Sequence, residues 1–293
     1  MEIKIVKSMS SESGCTLTAL ALAKKSLEKD KNVLFLSYDK YELEIIGTLF
    51  KSDKFCHRSL NDIKVLEMSD IDSDVVIVDQ GINEQPNIDA STVEYQIIHV
   101  HDCSVTFDID LDKVFAKQNV TLLLNKIPVY ESRPVHEMVQ KISELNGQVL
   151  ATLHEDKFLQ GMTLEELVNA VNGSLIDESV TNKPYIAKFL IGGNIMDSGE
   201  GYFGRYENQA VITRGGRPDI QMASIMAGTK CLVLTQDTEP TEYIISEARK
   251  HKVPLIAVTS GTEDTIELLS RSFGNKSICL ERIDRFLELL EQN

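Results

Sequence analysis

Short apolar runs alternate with helix-length amphipathic segments along almost the whole chain, and this rhythm restricts the fold more than any other feature. Ile3–Val6, Val33–Ser37, Val75–Asp79, Gln96–Val100, Thr121–Asn125 and Val149–Leu153 read as buried strands, with helical patterns at Thr16–Glu28, Pro134–Asn146 and Thr163–Val171. Continuously apolar strands separated by helices are what a parallel sheet covered on both faces requires. The rhythm restarts after about residue 178: Ala187–Ile191, Ala210–Thr213, Cys231–Thr235 and Leu255–Thr259 read as strands. Helices are expected at Asp219–Met226, Thr241–Lys250, Thr262–Ser272 and Glu281–Leu290. Two local signals sharpen the boundaries. Thr163 and Glu166 have capping-box spacing, and Asn146-Gly147 is a helix stop in which Gly is expected to take the left-handed turn. The glycine-rich stretch Gly192–Gly204 reads as a loop inside the second unit.

The fold class is therefore α/β, with a boundary near Asp177–Lys183 dividing residues 1–178 from 183–293. A length of 293 residues suits two domains, each able to bury a core. With 30 Lys+Arg against 45 Asp+Glu, the net charge of −15 argues against nucleic acid and anionic membrane as partners, because both need a basic surface. A local basic pocket for a small anion stays open. Five widely spaced cysteines without a C-x-x-C fit neither a disulfide framework nor structural zinc. No apolar run is long enough to span a bilayer and no signal segment precedes the first strand. A cytoplasmic protein is expected.

The segment Ser8-Met9-Ser10-Ser11-Glu12-Ser13-Gly14-Cys15-Thr16 follows the first strand and leads into a helix. That is the layout of a P-loop, in which backbone N–H groups and the helix N-terminus face a phosphate. The full motif G-x-x-x-x-G-K-[ST] needs its Lys for the β- and γ-phosphates and its Ser or Thr for Mg2+. Gly14 and Thr16 stand in place, but Cys15 occupies the lysine position and Met9 that of the first glycine. Efficient ATP hydrolysis is not expected from such a loop. Three readings remain open: an inherited turn that binds nothing, nucleotide binding without turnover, and catalysis with a lysine supplied from elsewhere, for which Lys7 is the nearest candidate. Asp79 ends an apolar strand as a Walker-B acid does, and Asn125-Lys126 ends another where its amide could meet a base. A plain strand-end turn is the alternative there.

At this point the residues resemble a family. Leu122–Pro128, Val149-Leu150-Ala151 and His154-Glu155-Asp156, continued by Leu159, Thr163 and Glu165-Glu166-Leu167, are similar to the second half of dethiobiotin-synthetase-like P-loop domains. The resemblance is to the version at the N-terminus of long bacterial phosphotransacetylases and in stand-alone archaeal and bacterial relatives, which often keep Gly and Thr but lose the lysine. Ala210–Gln221 with Cys231–Thr235, Glu239-Pro240 and Val253-Pro254-Leu255 resembles the DRTGG domain that follows it in those proteins. The family's Gly-Asp-Arg reads Gly215-Gly216-Arg217 here, and its glycine pair after the strand Thr reads Gln236-Asp237. Ser37-Tyr38-Asp39 replaces the Lys-Pro that dethiobiotin synthetases use near their substrate.

The resemblance implies a P-loop NTPase-like domain followed by a smaller DRTGG-type domain, in a regulatory protein that senses a nucleotide or a small anionic metabolite. The implied cofactor is ATP or another adenine nucleotide with Mg2+, held by Gly14, Thr16, Asp79 and Asn125. A second site is expected at Thr213, Gly215, Arg217 and Asp219, where a glycine turn, a guanidinium and a helix opening at Pro218 would grip an anion. An internal ion pair between Arg217 and Asp219 competes with that reading. Implied partners are a second copy of the chain and a protein of acetate or central metabolism. The rival is an ATP-dependent ligase or kinase-like enzyme of the dethiobiotin synthetase class. His99, His101, Asp102 and Cys103 offer ligand types for a metal, yet no second cluster closes a shell, and no metal is expected.

Overall fold

The computed structural model describes residues 1–8, 10, 13–62, 72–82, 94–116, 119–130, 132–177, 179–180, 184–193, 199–272 and 277–293. Their contacts divide the chain into two compact units, Met1–Leu159 with Ile278–Asn293, and Gln160–Ser277. The first unit is built on β1 (Glu2–Ser8), β2 (Val33–Ser37), β3 (Phe55–Ser59), β4 (Val75–Gly81), β5 (Tyr95–Asp102), β6 (Val120–Ile127) and β7 (Gln148–His154). These form one seven-stranded sheet in the order β3-β2-β4-β1-β5-β6-β7, parallel at every pairing. Its helices are α1 (Cys15–Glu28), α2 (Lys40–Leu49), α3 (Leu111–Phe115), α4 (Ser132–Glu144) and the single turn α5 (Lys157–Gln160).

The sheet is covered on both faces, which is why β2 and most of β4 are buried without alternation. On one face Val6, Phe35, Ile77, Ile98 and Val100 pack against Ala19, Leu20 and Ala23 of α1. On the other, Ile97, Leu122 and Leu124 meet Val114 of α3 and Met138 and Ile142 of α4, while Ile3, Ile5, Leu34, Leu36, Val76 and Val78 form a neighbouring cluster. The stop after α4 differs from expectation in one detail. Asn146, not Gly147, takes the left-handed backbone, at φ 55°. The bonds Asn146 N–H to Ser143 O and Gly147 N–H to Ile142 O complete a Schellman turn. Gly147 is needed for space, because an added Cβ would fall 2.6 Å from the Phe115 ring.

The second unit opens with β8 (Met162–Thr163), α6 (Leu164–Ala170), β9 (Ser174–Leu175) and β10 (Tyr185–Ile186). The capping box of α6 is present in both directions, Thr163 side chain to Glu166 N–H and Glu166 side chain to Thr163 N–H. Then follow β11 (Lys188–Gly192), α7 (Glu200–Phe203), β12 (Gln209–Arg214), α8 (Pro218–Met226), β13 (Cys231–Thr235), α9 (Glu242–Lys250), β14 (Leu255–Ala257) and α10 (Thr262–Ser272). The sheet runs β11-β12-β13-β14-β9, parallel except for β9, and β8 pairs antiparallel with β10. Along β12 and β13 the two faces alternate. Ala210, Ile212, Cys231 and Val233 pack with α6 and α10, and Val211, Leu232 and Leu234 with α7, α8 and α9.

The contact division falls at 159/160 and 277/278 rather than near Asp177–Lys183. The described part of that stretch lies within the second unit, because β9 before it and β10 after it both pair inside that unit; 178 and 181–183 lie outside the described residues. The helix expected at Glu281–Leu290 is α11 (Leu280–Glu291), and it belongs to the first unit. Its Ile283, Phe286 and Leu287 join the core beside α1, Lys24 pairs with Asp284, and Arg285 grips Asp156 at 2.8 Å. Among the described residues no helix is long and apolar enough to cross a membrane.

Candidate functional site

The carboxyl ends of β1, β4, β5 and β6 meet at the loop before α1. Of that loop Ser8, Ser10 and Ser13 onward are described, so Met9 lies outside the described residues. Gly14 caps α1 at φ 90°, a conformation open to glycine and strained for other residues. An added Cβ there would also stand 2.5 Å from the Asn125 amide nitrogen. That amide donates to the Ser13 carbonyl at 2.8 Å. One donor of the group expected at a base is therefore engaged in bracing the loop.

Cys15 and Thr16 turn toward Asp79. The Cys15 thiol, 7% exposed, donates to the Asp79 carboxylate at 3.4 Å. Burial, and then the Asp79 charge, raise the thiol well above its ordinary range. A low-pKa redox cysteine is therefore not what this helix terminus makes. Burial also raises the Asp79 carboxyl, with the Thr16 hydroxyl and the Cys15 thiol offsetting part of the rise. Asp39 caps α2 by accepting from the Glu42 N–H at 3.1 Å. Glu42 is pushed up to about 7 by burial, then by Asp79 and Asp39. The mouth of the loop thus collects carboxylates around a neutral thiol, where a P-loop would place an ammonium.

Lys7 does not stand in for the missing lysine. Alternation along β1 puts it on the face of Ile3 and Ile5, opposite α1, in register with His99. His99 is pushed down to about 4 by burial and then by the Lys7 charge. The remaining members of the metal candidate are used in packing. His101 Nε2 meets the Thr106 carbonyl at 2.9 Å, and Asp102 pairs with Lys126 at 2.8 Å. The Cys103 thiol is buried and pushed up to about 12 by that burial and by Asp102. Among the described residues no group of three or more His, Cys, Asp or Glu is arranged to hold a metal ion.

In the second unit the turn between β12 and α8 is built from the inside. Thr213 is fully buried and its hydroxyl donates to Gly192 O at 2.9 Å. Gly215 has no room for a side chain, because an added Cβ would overlap the Thr238 carbonyl. The buried Gln221 amide donates to Arg214 O at 3.0 Å and Gly215 O at 2.8 Å, holding the turn from below, while its own oxygen has no partner among the described residues. Arg217 is occupied internally. It meets Asp219 in a two-bond fork at 2.9 and 2.7 Å and donates a third bond to Gly193 O at 2.8 Å. The ion pair holds Asp219 below and Arg217 above their ordinary values. Of the two readings of this turn, the internal pair is the one present. Gln236 and Asp237, which stand where the resembling domains carry two glycines, take φ 72° and 47°, at a cost on the order of 1 kcal/mol each.

Sequence reasoning placed Gly14, Cys15, Thr16, Asp79 and Asn125 around one loop, and Thr213, Gly215, Arg217 and Asp219 around one turn. It missed Glu42, because α2 itself carried no clear apolar stripe. It also missed Gln221, whose signal is a glutamine between buried positions of a helix that otherwise buries Ile220, Ser224 and Ile225.

Residues 166–272 match the DRTGG domain family, so a DRTGG domain occupies most of the second unit. Among solved structures, the chain is similar to the CBS and DRTGG domains of the regulatory region of Clostridium perfringens pyrophosphatase, determined with its activator diadenosine tetraphosphate. The two are 18% identical over 40% of this chain and 51% of that one, with a TM-score of 0.34, so the match spans about half of that chain.

Proposed function

We propose that this chain is a regulatory or sensing protein. In this reading a dethiobiotin-synthetase-like domain with an altered P-loop binds a nucleotide or small anionic metabolite without efficient turnover, and a DRTGG-type domain accompanies it. The observation that carries the reading is the Cys15–Asp79 contact. The lysine position holds a buried neutral thiol bonded to the acid that would otherwise serve Mg2+, so no charge at that position meets the phosphate charge that builds up during transfer. Gly14, Thr16 and the α1 N-terminus still offer N–H groups to an anion, and ATP or another adenine nucleotide with Mg2+ is the ligand class the resemblance implies. At the β12–α8 turn, Thr213, Gly215, Arg217 and Asp219 would accept an anion only by opening the Arg217–Asp219 pair. Such an exchange would couple binding to the shape of that turn. The ligand can shift a conformational equilibrium only by its difference in affinity for the two arrangements. A second copy of the chain and a protein of acetate or central metabolism are the proposed recipients of that state.

Calorimetry on the full chain with ATP, ADP, AMP, diadenosine tetraphosphate and acetyl-CoA, each with and without Mg2+, tests the reading. At least one ligand should bind saturably, ATP should survive incubation, and Arg217→Ala should change binding of a ligand held at the second turn. Mg2+-dependent ATP turnover would overturn the proposal in favour of the enzyme reading. Binding of nothing in the panel would also overturn it.

A further inference from the structure

A parallel sheet covered on both faces keeps its strands apolar to their ends unless something at that level needs polarity. On the face opposite α1, the adjacent strands β1 and β5 change character together. Val76 and Val78 of β4, Ile3 and Ile5 of β1 and Ile97 of β5 are buried and apolar. One step on come Lys7 and His99, with His101 beyond, while β4 shifts register there and sets Gly81 beside Lys7. Register places Lys7 directly beside His99 across β1 and β5. The change occurs at the carboxyl ends of the strands. It also lies where the chain, having run outward from β1 to β2 and β3, returns through β4 and crosses to β5 on the other side. Open α/β sheets take their ligands at such a reversal.

His99 supplies the second observation. It is 3% exposed, and neither ring nitrogen has a hydrogen-bond partner among the described residues. An imidazole always presents polar nitrogens, and buried ones are nearly always satisfied by protein, water or a bound group. Lys7 and His101 are only half-buried, so the layer opens toward solvent at its upper edge.

We propose that this layer is a binding site for a small oxyanion, a carboxylate or a phosphate, seated between Lys7 and His99 on the sheet face opposite the β1–α1 loop. The Lys7 ammonium would supply the charge and the His99 ring an N–H, with one anion oxygen accepting from each.

The experiment is solution NMR of the histidine rings in the full chain, together with thermal unfolding. Sodium acetate and inorganic phosphate are titrated separately against sodium chloride at matched ionic strength. The His99 ring signals should move saturably with at least one of the two anions, with a rise in Tm over chloride, and the anion that acts identifies the source as carboxylate or phosphate. Lys7→Met and His99→Leu should each weaken the response at least tenfold. His99→Gln, which keeps a donor and an acceptor, provides the folded comparison if the Leu variant does not fold, and it should weaken binding less than Lys7→Met. The proposal is overturned if neither anion moves the His99 ring, or if the response survives unchanged in both Lys7→Met and the His99 variant.

Discussion

Glu42→Gln should stabilise the protein in alkaline buffer and leave it nearly unchanged in acid. The carboxyl sits in the first turn of α2, half-buried, facing Asp79 and Asp39, and is pushed up from 4.5 to about 7 by burial and by those two charges. The native state therefore holds this proton more tightly than the unfolded chain does. The associated stability is fully present below the unfolded value near 4.5 and is lost as pH rises through about 7. At about 1.4 kcal/mol per unit the full gap would be about 3 kcal/mol. Water screens a half-exposed group, and about 1–2 kcal/mol is the discounted expectation. The α2 macrodipole, worth about 0.3–1 kcal/mol to a carboxylate in this turn, acts in the opposite direction. Urea unfolding at about pH 5 and about pH 8.5, with hydrogen exchange along β1 and β4 identifying the first unit's transition, measures the difference. The gain from Gln should be about 1 kcal/mol larger at the higher pH. An equal gain at both pH values, or a loss at the higher one, would refute the acidic-cluster argument.

Two further outcomes follow from named contacts. In alkylation followed by mass spectrometry, Cys56 should label in the native protein while the buried Cys15, Cys103 and Cys231 stay silent until it unfolds; native labelling of Cys15 would contradict the buried thiol–carboxylate contact. Gly215→Ala should cost about 1–3 kcal/mol through overlap with the Thr238 carbonyl. Gly216→Ala, with nothing within 4 Å of the added methyl, should be close to neutral, and thermal unfolding of the pair checks the contrast.

Much of the fold is legible in the sequence because a doubly covered parallel sheet writes itself as uninterrupted apolar runs. Val33–Ser37 and Cys231–Thr235 have the same limits in the sequence pattern and in the structure. The elements that escaped are those whose stability comes from position rather than pattern. β3 is an edge strand with Cys56, His57 and Arg58 exposed, so it shows no apolar run. α2 carries Gly47 and a β-branched pair, Ile45-Ile46, both weak helix formers. The break at 159/160 escaped because nothing in composition separates α5 from β8, and the membership of α11 in the first unit escaped because an amphipathic stripe does not say which sheet it covers. At the site, a cysteine at the position where a P-loop carries lysine was plain in the sequence, but the carboxylate that its thiol meets was not. The Cys15–Asp79 contact spans 64 positions, and Arg217 could be read equally as a ligand or as the partner of Asp219 until the two bonds of their fork were seen.

The return of the chain to its first unit has a consequence for biosynthesis. Domains ordinarily fold in the order they leave the ribosome. Here residues 160–277 are threaded between two parts of one folding body, and the core beside α1 lacks Ile283, Phe286 and Leu287 until the last helix emerges. The later-made unit therefore has all its residues first, while the seven-stranded sheet waits with one flank of α1 uncovered. A chain stalled or clipped before residue 278 would leave its earliest-made half exposed to chaperones and proteases, while its DRTGG domain is whole.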